Sequence, residues 1–133
     1  MAEINLVKGM ITNAMIKTGH DMTEHLEESG IEVAASLWMY DDEAHQYYLN
    51  IASDYYDMHG PLQFYKKLQE VLSDFNENSI GLSDIKAIGR SSRLVAALLS
   101  YLGSGHDIPL RSSQYNGIYI EDAYIIKLGL PSK

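Results

Sequence analysis

The pattern of apolar residues predicts an α+β fold: a mainly antiparallel sheet of about five strands with three helices, in the order αββαβαββ. Three observations carry it. Apolar side chains recur at helical spacing in three stretches, residues 31–54 alternate twice around a polar turn, and Tyr115-Asn116-Gly117 supplies a second hairpin turn. With 133 residues and no long linker or internal repeat, residues 1–133 read as a single domain.

The first helix is expected over residues 4–28, where Ile4, Val7, Ile11, Met15, Thr18, Met22 and Leu26 form one stripe. Gly19 sits in its middle, costs up to about 1 kcal/mol relative to alanine, and marks a bend or break. Ser29-Gly30 stops it, with Gly30 suited to a left-handed position. Two strands follow: Val33, Ala35, Leu37 and Met39 alternate with Ser36, Trp38 and Tyr40, then Tyr47, Leu49 and Ile51 alternate with Tyr48, Asn50 and Ala52, across the turn Asp41-Asp42-Glu43-Ala44.

Residues 55–61 read as a turn-rich connector ending in Gly60-Pro61, with the second helix beginning at Pro61 and carrying Leu62, Tyr65, Leu68 and Leu72 on one face. Asn76-Glu77-Asn78-Ser79 ends that helix, and residues 84–88 form a third strand. Ser91 or Ser92 then caps a third helix, residues 93–102, whose apolar content predicts the deepest burial in the chain. A short strand at 108–110, held to a sheet edge by Pro109, precedes the Asn116-Gly117 turn. The last strand, 118–128, breaks strict alternation, which places a bulge at Glu121-Asp122-Ala123.

The aromatic hairpin, the Gly60-Pro61 entry to a helix carrying Tyr65, and the run Asn116-Gly117-Ile118-Tyr119-Ile120-Glu121-Asp122-Ala123-Tyr124-Ile125 together resemble a family of small bacterial α/β proteins. The resemblance spans about residues 31–128 and rests on an N-G-[IV]-Y-I-E-D-A-Y-I motif. No activity is established for that family, so it implies a bacterial single-domain protein and no catalytic residue.

The net charge is −8, which argues against binding to a nucleic-acid backbone. Charge is uneven: residues 1–78 carry −10 and residues 79–133 carry +2, with all three arginines in the second part. No apolar run reaches the roughly 20 residues of a membrane span, and the N-terminus lacks the pattern of a secretory signal. Cysteine is absent, excluding disulfide and thiol chemistry. A soluble, acidic, cytoplasmic protein is expected.

Four groups of residues offer chemistry. Asp54, Asp57 and His59, with Asp41, Asp42, Glu43 and His45, could supply metal ligands, but their spacing matches no metal motif and acidic turn residues ordinarily serve turn chemistry, so no metal is assigned. Asp84-Ile85-Lys86 is the acid-x-lysine triplet of some metal-dependent nucleases and hydrolases, and equally a common three-residue match. Arg90, Ser91, Ser92 and Arg93, with Arg111 if the strands bring it close, hold the ingredients of an anion site; a serine cap between solvated arginines is the simpler alternative. Ten tyrosines stand against two phenylalanines and one tryptophan, and Trp38, Tyr40 and Tyr48 are expected to share one face of the first hairpin, either covered by a helix or open to a partner.

These residues point to a non-catalytic protein-interaction module: an accessory, inhibitory or immunity-like protein, or a homodimer, contacting a protein partner through Trp38, Tyr40 and Tyr48. The alternative is a small phosphate- or nucleotide-binding protein or enzyme using the arginine patch, and after it a metal-dependent nuclease or hydrolase. No cofactor is called for.

Overall fold

The computed structural model describes residues 11–75 and 80–129. Helix α1 is Asn13–Glu28, and the part of its stripe before residue 11 lies outside the described residues. Thr12 caps it by accepting from the N–H of Met15 at 3.1 Å, and Gly30, at φ 91°, turns the chain out of it. Strands β1 (Ala35–Asp41) and β2 (Gln46–Ser53) form the first hairpin. Helix α2 (Asp54–Ser73), a one-turn 3-10 helix (Leu82–Asp84), β3 (Ile85–Gly89), α3 (Arg93–Leu102), β4 (Gly105–Tyr115) and β5 (Ile118–Leu128) follow.

The sheet order is β3-β2-β1-β5-β4, antiparallel throughout except for β2 and β3. Parallel neighbours need a crossover, and α2 supplies it. Trp38, Tyr40, Tyr47, Leu49 and Ile51 pack beneath α1 and α2 with Met15, Met22, Phe64 and Leu68. Leu37, Ala52, Ile120, Ala123, Ile125 and Leu128 pack on the other face beneath Val95 and Leu98 of α3. The expected α+β architecture and element order are thus observed, with two helices on one face and the third on the other.

Four local expectations change. Residues 55–59 are helical, because Ser53 caps α2 by accepting from the N–H of Tyr55; Gly60-Pro61 is a kink inside α2, with Gly60 at φ 87° and ψ 168°. Gly19 does not break α1. A Cβ there would lie 2.9 Å from Ile126 and 3.0 Å from Trp38 Nε1, so glycine lets the helix approach the sheet. The edge strand β4 has eleven residues rather than three. Helix α3 buries only Val95, Ala97 and Leu98, and is not the deepest element.

A fifth expectation, the bulge at Glu121-Asp122-Ala123, also changes: the β4–β5 register is the same on both sides of that stretch, from Arg111 opposite Asp122 to Ser113 opposite Ile120, and the shift in β5 lies instead against β1, where Ser36 pairs with Lys127 and Leu37 with Ile125, leaving Ile126 as the extra residue. Ile118, Ile120, Ala123, Ile125 and Leu128 stay in or against one core despite their uneven spacing.

Candidate functional site

The C-terminal ends of the parallel pair bring two helix beginnings together. Ser53 and Gly89 are in register, and the N–H of Arg90 donates to Ser53 O at 3.3 Å. Helix α2 starts directly after Ser53; α3 starts after Ser92, whose Oγ accepts from the N–H of Val95 at 3.3 Å. Between them stands the Asp57 carboxylate. Its Oδ2 accepts from the N–H groups of Arg90 (2.7 Å) and Ser91 (3.3 Å), and its Oδ1 from the Ser91 hydroxyl (2.7 Å). A Cβ on Gly89 would meet Asp57 Oδ1 at 2.3 Å, so the approach depends on glycine. The loop singled out for anion chemistry therefore holds an anion, supplied by the chain itself.

The three arginines do not converge. Arg90 points an exposed side chain outward, and Arg93 Nη2 donates to Asn116 O at 3.5 Å over the β4–β5 turn. Arg111 Nε lies 3.7 Å from Asp122 Oδ1, and Asp122 also accepts from the hydroxyl of Tyr47, a residue of the α1–α2 face. Arg93, on α3, belongs to the opposite face.

The three aromatic residues expected on one face are divided. Trp38 pairs with Leu49, Tyr40 with Tyr47, and Met39 with Tyr48, so Tyr48 looks away from the other two. Trp38 is 0% exposed and its indole N–H donates to Met15 O at 2.7 Å; Tyr40 is 7% exposed. Helices cover both. Tyr48 lies on the other face with Lys86 Nζ 4.9 Å from its ring centroid.

The acidic residues are engaged locally. Asp41 accepts from the N–H groups of Glu43 and Ala44 and from Lys86 Nζ at 2.8 Å; the Lys86 hydrogen bond, then that of Ala44, holds its carboxyl below the usual range. Asp84 Oδ2 accepts from the N–H of Gly81, so Asp84 and Lys86 serve different partners. His59 stacks on Tyr55 with centroids 4.4 Å apart. Among the described residues no three His, Asp or Glu side chains are arranged to hold a metal ion.

A polar cleft that the sequence did not reveal lies between α1 and the start of the β4–β5 ladder, with a volume of about 300 Å³. His20 Nε2 is 2.6 Å from Asp107 Oδ1, which also accepts from the Tyr124 hydroxyl at 3.0 Å. The His20 contact, then Tyr124, holds the Asp107 carboxyl low; burial, then Asp107, pushes the Tyr124 phenol up. Lys127, 8% exposed, is paired with Glu27. Thr23, the one hydroxyl among the described residues lining the cleft, is bonded to Gly19 O and Ser36 Oγ and so is not turned toward His20 as a nucleophile. These groups lie up to 107 residues apart in sequence, and no spacing rule links them.

Large apolar side chains are exposed at Met58 and Leu62 around the kink of α2, at Tyr119 on β5, and on α3. Leu99 is 37% and Tyr101 60% exposed, Ala96 is exposed beside them, and Tyr101 stacks on Tyr115 with centroids 5.5 Å apart. No carboxylate occurs between Asp84 and Asp107, whereas Lys86, Arg90 and Arg93 do. Among the described residues no helix is long and apolar enough to cross a membrane. Searches of protein-family models, curated proteins and solved structures returned no match to the chain.

Proposed function

We propose that the protein is a non-catalytic protein-interaction module, and that its contact surface is the outer face of α3 rather than the first hairpin. The observation that carries this reading is the contrast within α3: a ten-residue helix of composition RLVAALLSYL that buries three residues and leaves Ala96, Leu99 and Tyr101 in solvent. Exposed aromatic and aliphatic side chains with a polar margin are the composition of an interface centre. Two exposed arginines, Arg90 and Arg93, stand at the start of this helix, so an acidic partner surface with an apolar patch fits it; a second copy of this strongly acidic chain is one such partner. Strand addition at the β4 edge is a poorer route, because Pro109 lacks an N–H and Asp107 and Ser112, at φ 57° and 47°, interrupt the strand.

Affinity capture with tagged wild type, Leu99→Glu and Glu28→Lys tests the proposal. A partner, or a second copy of the chain, retained by wild type and Glu28→Lys and lost from Leu99→Glu is the expected result. Identical recovery by all three would contradict it.

A further inference from the structure

We propose that Asn116 is a site of covalent self-modification, converted to aspartate and isoaspartate by attack of the Gly117 backbone nitrogen on the Asn116 side chain, and that Arg93 assists the attack. Asn116 and Gly117 are the chain's single Asn-Gly pair, both are exposed, and they stand between Tyr115 and Ile118, the last pair of the β4–β5 ladder. With φ of 52° and 85° they fill the central positions of a tight hairpin turn, outside the strands whose ladder bonds hold a backbone nitrogen in place. Glycine sets no side chain beside the attacking nitrogen. Asn50 is the contrast: it is 2% exposed within β2 and is followed by the fully buried, branched Ile51.

Arg93 adds what the dipeptide alone lacks. Its Nη2 donates to Asn116 O at 3.5 Å, and a Cβ placed on Gly117 would meet the same Nη2 at 3.7 Å, so the guanidinium lies against this turn. The Asn116 carbonyl and the Gly117 N–H belong to one conjugated peptide unit, so a cation at the oxygen stabilises the deprotonated nitrogen, which is the nucleophile. Hydroxide removes the Gly117 amide proton, the nitrogen bonds to Asn116 Cγ, and the tetrahedral centre expels the side-chain nitrogen, which takes a proton from water and leaves as ammonia. Water then opens the resulting succinimide ring. Breaking the new N–Cγ bond gives aspartate, and breaking the original peptide bond gives isoaspartate, with no oxidant or reductant required. Both products set a carboxylate beside Arg93 at the start of α3 and offset its charge.

The test incubates the intact chain at mildly alkaline pH, as wild type and Arg93→Gln, each folded and in urea. Peptide mass spectrometry follows residues 116 and 50, and methyl transfer to isoaspartate counts the rearranged product. Expected are conversion at Asn116 and none at Asn50 in the folded chain, a rate rising with hydroxide, and a folded rate about two- to fivefold slower in Arg93→Gln, with the two chains alike in urea. An Asn116 that stays intact in the folded wild type while the unfolded chain converts would overturn the site. Equal folded rates in the two chains, or the same difference persisting in urea, would overturn the part assigned to Arg93.

Discussion

Gly19 shows how one missing methyl group sets the spacing between a helix and a sheet. Helix propensity alone favours alanine there by about 1 kcal/mol. The Cβ would meet Ile126 and the Trp38 indole at 2.9–3.0 Å, so Gly19→Ala is expected to destabilise by about 1–3 kcal/mol in urea unfolding. A stabilised variant would contradict the close packing. The sequence identified the glycine but could supply only its propensity, because the atoms it yields to come from residues 38 and 126. The same limit applied to Trp38, Tyr40 and Tyr48. With Asp41 opposite Gln46 across a four-residue turn, facing pairs join one odd and one even number, and Tyr47 takes the place beside Tyr40 that had been expected for Tyr48. Asp107 gives a pH dependence. Its carboxyl is held low chiefly by His20, so it contributes stability above the unfolded Asp pKa of about 3.9 and loses it as pH falls through the lower folded value. Asp107→Asn should be less stable than wild type at pH 7, the gap closing below about pH 4. A gap unchanged down to acid unfolding would remove His20 and Tyr124 as its cause.

At the scale of elements, α2 carries a joint that the sequence located but misread. Gly60-Pro61 looked like a helix start because both residues favour one. The Ser53 cap starts the helix seven residues earlier than Pro61, and the dipeptide becomes a kink. Gly60 occupies backbone angles that are nearly exclusive to glycine, so Gly60→Ala should cost about 1–3 kcal/mol and lower the thermal midpoint. Beyond the kink, Tyr65 reaches the edge strand β3, where its phenolic oxygen accepts from the N–H of Ala87 at 2.9 Å. That bond gives a buried edge residue a partner. Tyr65→Phe leaves the donor unpaired and should cost about 1 kcal/mol, with faster hydrogen exchange at Ala87; unchanged exchange there would discount the contact. Periodicity found α3 and β3 to within a residue, since both are short and flanked by turn residues. It could not find the full length of β4, whose mostly exposed residues carry no apolar alternation.

For the whole molecule, the fold class and element order were legible because three amphipathic helices and two hairpin turns leave few ways to bury both sheet faces. The distribution of helices between those faces was not, because it depends on which side of the sheet each connection crosses. Function was less legible still. The most apolar helix was expected in the deepest core, and its own apolarity concealed that its outer side is bare. The net charge of −8 and the exposed Arg90 and Arg93 at the start of α3 give the proposed encounter a salt dependence: association with an acidic partner should weaken as ionic strength rises, through slower association. The most direct measurement places a photo-crosslinking amino acid at Tyr101, with Glu24 on α1 as the comparison position, in the intact chain. A discrete cross-linked partner or dimer is expected from position 101 and little from position 24. Equal yields at the two positions, or none at 101, would contradict the assignment of α3 as the contact surface.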